Sequence, residues 1–253
     1  MPDRRDFLAL LLAGAGCARG SSGARPPPSA RTIRAVAFDA FPIFDPRPLF
    51  ARLEESFPGR GTQMAAIWRD RQFEYAWLRS MAGQYADFWQ VTEDALEYAA
   101  SVTGVDLHPT TRQALMEGYL ALKPWPDAVA ALRAMRAGGL RLAFLSNFTP
   151  AMLRSCVRAS ALDGVFEHVI STDEARAFKP DPRAYRLAVD AFGVQREEIA
   201  FVAFAAWDAA GAKWFGYETF WVNRLGLPAE RLGAEPDTTT RGLEEVARAL
   251  ATG

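Results

Sequence analysis

Asp39 follows the apolar run "RAVAF", Ser146-Asn147 follows "LRLAFL", and Lys179 and Asp208 lie in "AFKPDP" and "AFAAWDA". A carboxylate delivered to the C-terminal end of a buried strand is a common way for an α/β sheet to present a nucleophile or a metal ligand. Taken singly, each of these residues has an ordinary explanation, since a strand-end Asp often caps the next helix and a lone Lys is usually solvated. Four polar stations at or just beyond successive strand ends are less easily explained that way. Two residues after Asp39 the chain has Phe41 and offers no second carboxylate.

The elements that must hold these stations are legible in the apolar pattern. From Ile33 onward, short apolar runs ("IRAVAFD", "LRLAFLSN", "HVIST", "IAFVAFA", "ETFWVN") alternate with longer helix-like segments, as in a parallel sheet with crossover helices. The strands' C-terminal ends then gather on one edge, where open α/β sheets bind ligands. The segment 46–122 breaks this rhythm and reads as several helices. "GTQMAAIWRDRQFEYAWLRSM" places Met64, Ile67, Trp68, Tyr75 and Leu78 near helical spacing, with Phe73 and Trp77 widening the apolar face, so burial on more than one side is expected. "VTEDALEYAASV" gathers Val91, Ala95, Tyr98/Ala99 and Val102, and "TRQALMEGYLAL" gathers Leu115, Tyr119 and Leu122. "KPWPDAVAALRAMRAGG" then reads as a helix leading back to the second strand. The expected organisation is an α/β core over 31–45 and 123–253, with a helical cap over 46–122 inserted after the first strand.

Residues 1–30 read as a leader: Arg4-Arg5, the apolar run Phe7–Gly16 and a stretch rich in Ser, Gly and Pro. The run is too short to span a bilayer, which takes about 20 apolar residues, and Arg4-Arg5 before Phe7-Leu8 is similar to a twin-arginine signal. The expectation is passage through the twin-arginine export machinery to a bacterial periplasm or beyond. Lipid anchoring at Cys17 is not expected, because Gly14 stands where a bulky aliphatic is usual. Loss of the leader would leave only Cys156, and with it no intramolecular disulfide. With 29 basic and 30 acidic residues there is no charge excess to drive binding to nucleic acid. His108 and His168 are isolated and lack ligand spacing.

The order and setting of the four stations resemble the haloacid dehalogenase superfamily. That resemblance implies a Rossmann-like three-layer αβα core with a parallel sheet and an inserted α-helical cap. Phosphatases of the superfamily use "DxD", whose second Asp protonates the leaving oxygen, a contribution of about 10²–10⁴-fold. A halide departs without a proton, so Phe41 is a handicap only for phosphate chemistry. The longer passage "WRDRQFEYAWLRSMAGQYADFWQVTEDALEYA", with "LRLAFLSNFTP", "AFKPDPRAYRLA" and "WDAAGAKWFGYETFWVNRLG", resembles the L-2-haloacid dehalogenases. The resemblance implies that Asp39 attacks C2 of a 2-haloacid and that water hydrolyses the resulting ester. Arg69 and Asn147 would cradle the halide, Ser146 would bind the substrate carboxylate, and Lys179 would steady Asp39. Tyr185 and Asp208 would complete the network around Lys179 and the water. Phe41, Phe73, Phe88 and Trp207 would wall the pocket, the alternative for each being plain core packing.

No cofactor and no metal are expected, since too few carboxylates converge to surround Mg²⁺ with oxygen. Related dehalogenases pair through helices, so the resemblance also implies a homodimer. Two departures from the family pattern stand out. The first loop is "DAFPIFD" where the family reads like "DAYGTLFD", one residue shorter and without its Thr. The last motif is "AFAAWDA" where the family commonly reads "SSNAWDA", so Ala203, Phe204 and Ala205 replace two Ser and an Asn. Three readings follow: a 2-haloacid dehalogenase, a hydrolase of another small acid or ester, and a noncatalytic or single-turnover descendant that binds a small carboxylate.

Overall fold

A computed structural model describes residues 32–251. Arg4-Arg5, the apolar run behind them and Cys17, on which the expectations of export and lipidation rest, lie outside the described residues. The described residues start with β1 (Ala35–Phe38) and β2 (Phe44–Asp45), then four helices, α1 (Arg47–Ser56), α2 (Gly61–Met81), α3 (Phe88–Thr103) and α4 (Pro109–Gly118). It continues through β3 (Lys123–Pro124), α5 (Ala128–Ala137), β4 (Arg141–Ser146), α6 (Pro150–Ala159) and β5 (His168–Ser171). The remainder is α7 (Pro182–Phe192), β6 (Ile199–Ala203), α8 (Ala206–Phe215), β7 (Glu218–Val222), β8 (Thr238–Thr240) and α9 (Leu243–Ala251).

Among the described residues one six-stranded sheet runs β5-β4-β1-β6-β7-β8, with every pair parallel. β1 is the point at which the strand order reverses: the chain later adds β4 and β5 on one side and β6, β7 and β8 on the other. The crevice beyond such a strand is where open α/β sheets bind ligands. β1, β4 and β6 read as near-continuous apolar runs because both faces of a parallel sheet are covered. Val36 and Phe38 pack into one core with Phe144, Val202 and the helices of the insertion, while Ala35 and Ala37 pack into another with Tyr185, Phe201 and Tyr217.

All five strands expected from the sequence are present. β8 was not expected, because "TTT" is no apolar run; its β-branched side chains still suit a strand, and it pairs with β7 in parallel. The helices α1–α4 leave the core after β2 and return through β3, and these two short strands pair antiparallel (Phe44 with Pro124, Asp45 with Lys123), which joins the ends of the excursion. α2 spans the expected residues, but its burial is a narrower stripe of Met64, Trp68, Gln72 and Ala76, and Leu78 is 56% exposed. Tyr98 and Val102 of α3 are likewise exposed, while Val91, Ala95 and Ala99 are buried. The stripe is secured by polar groups: Trp68 Nε1–H donates to Thr92 O at 2.8 Å, and Gln72 Nε2–H to Thr92 Oγ1 at 2.6 Å. α2 can start where it does because Gly61 has no Cβ, which would lie 2.2 Å from the Leu53 carbonyl carbon of α1.

Candidate active site

Asp39 is the first residue beyond β1, and its backbone N–H still donates to Val202 O of β6 at 3.1 Å. The neighbouring strands therefore fix its direction. Oδ1 accepts from Ser146 Oγ at 3.1 Å and from Lys179 Nζ at 3.0 Å, and among the described residues Oδ2 accepts only the Phe41 N–H, at 3.2 Å. Ser146 closes β4, and Lys179 lies in the loop between β5 and α7. Lys179 Nζ also donates to Asp208 Oδ2 at 2.6 Å, so one ammonium bridges the two carboxylates. Asp208, in the first turn of α8, accepts a further bond at Oδ1 from the Tyr185 hydroxyl at 2.7 Å. That approach requires Gly211 one turn on, where a Cβ would lie 2.4 Å from Tyr185 Oη.

The side chain of Lys179 is 1% exposed. Burial opposes its charge, but the Coulombic pull of Asp208 and Asp39 outweighs that and raises its pKa. Asp208 is pushed up to about 6, chiefly by burial and also by the negative charge of Asp39, against the opposing pull of Lys179. Two buried carboxylates share one ammonium, so one of them is left incompletely compensated. Tyr185 is held well above its ordinary value by burial and by Asp208, and stays a hydrogen-bond donor.

A cavity of about 580 Å³ opens over this cluster. Asp39, Ser146, Asn147 and Asp208 reach it, as do Arg69 and all four expected wall residues, Phe41, Phe73, Phe88 and Trp207. Lys179 and Tyr185 do not line it and act from behind the carboxylates. Ser146, assigned by resemblance to the substrate carboxylate, donates a hydrogen bond from its hydroxyl to Asp39 Oδ1. Arg69 borders the cavity with its side chain 55% exposed, 3.8 Å from Asp70. Asn147 is fixed through Oδ1, which accepts from Lys179 N–H at 3.1 Å and from Thr172 Oγ1 at 3.3 Å.

The shortened loop after Asp39 is held through its carbonyls, by residues the sequence did not point to. Trp125 Nε1–H donates to Phe41 O and Trp125 N–H to Ile43 O, both at 2.9 Å, while Arg224 Nη2 donates to Pro42 O at 2.9 Å. Arg224 is paired with Asp127 at 2.9 Å, and the Trp125 ring lies between the guanidinium groups of Arg47 (4.4 Å) and Arg224 (4.6 Å). Arg224 follows β7 by two residues, on the sheet edge shared with the other stations, and that position was the signal available for it. Ala205 is the N-cap residue of α8 and provides no side-chain cap beside Asp208, at a position where Asn is among the preferred capping residues.

A divalent cation does not fit this cluster. Mg²⁺ demands an octahedral shell of oxygens, whereas the two carboxylates are drawn together by the Lys179 ammonium and position 41 offers a phenyl ring. Among the described residues no group of three or more His, Cys, Asp or Glu is placed to hold a metal.

A model of the haloacid dehalogenase-like hydrolase family matches residues 25–216. Haloacetate dehalogenase H-2 of Moraxella sp. (strain B) is 41% identical over 222 residues, covering 87% of this chain and 99% of that protein. The (S)-2-haloacid dehalogenase of Pseudomonas sp. (strain YL) is 41% identical over 215 residues, covering 85% and 93%. The crystal structure of the L-2-haloacid dehalogenase RSc1362 superposes with a TM-score of 0.85 at 42% identity, covering 87% and 99%.

Proposed function

Since this chain belongs to the haloacid dehalogenase-like hydrolases, we propose that it hydrolyses the carbon–halogen bond of 2-haloalkanoic acids through an aspartyl ester on Asp39. The observation that carries this reading is the unequal treatment of the two Asp39 oxygens. Oδ1 is held by Lys179 and Ser146, which leaves Oδ2, with its single backbone partner, as the attacking atom. Oδ2 displaces halide from C2, and the electron pair of the broken bond leaves with the halide. A water then adds to Cγ of Asp39 and Asp208 takes one of its protons; the Cγ–Oδ2 bond breaks, Oδ2 leaves with the product and takes up the water's second proton to give a 2-hydroxy acid, and the Asp39 carboxylate is restored with the water oxygen. Attack from behind C2 inverts that centre, and hydrolysis at Cγ leaves it alone, so an (S)-haloacid gives an (R)-hydroxy acid.

Ammonium contact at Oδ1 stabilises the negative charge that builds on the Asp39 carboxyl during ester hydrolysis. Arg69 and the amide nitrogen of Asn147, whose Oδ1 is already committed, are the donors for the departing halide. Ser146 turns to the substrate carboxylate once Asp39 is esterified. Helices α1–α4 serve as a cap over the sheet edge, a role supported by the paired strands at their base and by Arg69 and Phe73 on the cavity wall. Residues 1–30 direct export by the twin-arginine route, a reading supported by Arg4-Arg5 and the short apolar run, and the mature enzyme works in the periplasm as a homodimer.

The test is a single turnover in H₂¹⁸O with (S)-2-chloropropionate. The label enters Asp39 and stays out of the hydroxy acid, and Asp39→Asn releases no chloride. Label in the hydroxy acid after one turnover would mean that water attacks C2 directly and would refute the ester. A second reading, a descendant impaired in hydrolysis, is favoured by Ala203 and Ala205. It requires a burst of about one chloride per protein with no further release, the pattern of a trapped covalent intermediate.

A further inference from the structure

The cavity is far larger than a two- or three-carbon haloacid requires. About 580 Å³ is room for roughly twenty waters at about 30 Å³ each, and it falls within the range of about 300–1,000 Å³ in which proteins enclose drug-sized ligands. Its lining includes two groups of aromatic rings. Phe73, Trp77 and Trp207 form one group, with Trp207 5.3 Å from each of the other two rings. Phe41, Phe148 and Phe204 form the other, with Phe41 at 5.2 Å from Phe148 and 6.0 Å from Phe204.

The anionic anchor lies at one end only. Arg47 and Arg224 also border the cavity, but each guanidinium is already held by a carboxylate: Asp45 at 2.8 Å and Asp127 at 2.9 Å. A second acid group on the substrate would therefore compete with those carboxylates for either cation. Phe204 and Ala205 line the same wall in place of the Ser and Asn of the family pattern, so two polar side chains are replaced by a phenyl ring and a methyl group. Displacement by a carboxylate is fastest with water excluded, and a small haloacid would leave most of this aromatic space filled with water.

We infer that the substrate is a monocarboxylic 2-haloacid whose C2 carries an aromatic or comparably bulky apolar group, of the 2-halo-3-arylpropionate type. The carboxylate and halogen sit at the Asp39 end, and the ring lies between the two aromatic groups. This rests on the dehalogenase reading above and follows the same bond changes.

Two measurements on the full chain separate the assignments. The first is the affinity of the wild-type protein for the unreactive hydroxy acids 3-phenyllactate and lactate, by calorimetry. The second is bromide release from (S)-2-bromo-3-phenylpropionate and (S)-2-bromopropionate. One methylene in an apolar pocket discriminates by about 10–200-fold, so the aryl acid is expected to bind at least about tenfold more tightly and to show a kcat/KM higher by at least that factor. Phe73→Ala and Phe204→Ala should each shrink both ratios. Bromide release from the small acid with no aryl preference in either measurement would overturn the inference and leave the dehalogenase reading standing. Tight aryl binding without bromide from either acid would overturn the dehalogenase reading, and the substrate assignment with it.

Discussion

Replacing Lys179 by Met keeps much of the side-chain volume and removes the charge that joins Asp39 to Asp208. At the observed 3.0 and 2.6 Å, an effective dielectric of about 20 gives attractions of about 5.5 and 6.4 kcal/mol. Much of this is offset by the cost of burying the ammonium, so the net loss on breaking the pair should be about 3–5 kcal/mol, as for other buried ion pairs that lose one partner. The loss should depend on pH. Without the ammonium Asp208 loses the charge that opposes the effect of its burial, and its folded-state pKa moves further up from a value already about 6. Groups raised in the folded state give their full stability below the unfolded pKa and lose it as pH rises through the folded pKa. The variant should therefore lie close to wild type near pH 4 and fall furthest behind at pH 8. Urea unfolding at the two pH values measures this, and halide release at pH 8 should fall by at least about 10²–10³-fold, the usual effect of losing one charge-stabilising donor. A stability loss equal at both pH values would refute the electrostatic account, and near-normal halide release would refute the assigned role of Lys179.

Four further outcomes follow from the same geometry. Asp208 must be ionised to take a proton from water, so steady-state kcat should decline as pH falls through about 6; rapid-quench halide assays at pH 5 should then show a burst followed by slow turnover. Tyr185→Phe removes a hydrogen bond that favours ionised Asp208, and the acid limb of the kcat profile should move to higher pH; an unmoved limb would place the base elsewhere. Trp125→Phe keeps the ring between Arg47 and Arg224 but deletes the donor to Phe41 O. It should cost about 1–3 kcal/mol in urea unfolding and lower kcat more than it raises KM. Halide release should be the same in EDTA as in added Mg²⁺, and strict Mg²⁺ dependence would overturn the site as drawn.

Buried parallel strands announce themselves, because covering both faces leaves no polar alternation to confuse the pattern. Asp39, Ser146 and Asp208 were legible for that reason, each standing at or just past the end of such a run. Lys179 required the resemblance as well, since it sits in a loop. The exposed Leu78 shows the limit of helical periodicity: α2 has apolar residues on two faces, and nothing local tells which face the neighbouring helix will cover. Trp125 and Arg224 were missed because they act on carbonyl oxygens, which every residue has and no sequence displays. The bond from Ser146 to Asp39 could be read only from coordinates, since a hydroxyl is equally suited to a substrate and to a neighbour.

Asp39 stands early in the chain, while the hydroxyl and ammonium that hold it come 107 and 140 residues later. At a synthesis rate of about 5–20 residues per second, the nucleophile leaves the ribosome roughly 7–28 s before its lysine. β4 is made before that lysine and β6 after it, so β1 gains its two neighbouring strands on either side of the same event. Contacts so distant in sequence also make for slow folding, and a chain broken before Lys179 would contain the attacking residue without the means to direct it. Directed attack by Asp39 therefore depends on contacts that only a nearly full-length chain can supply.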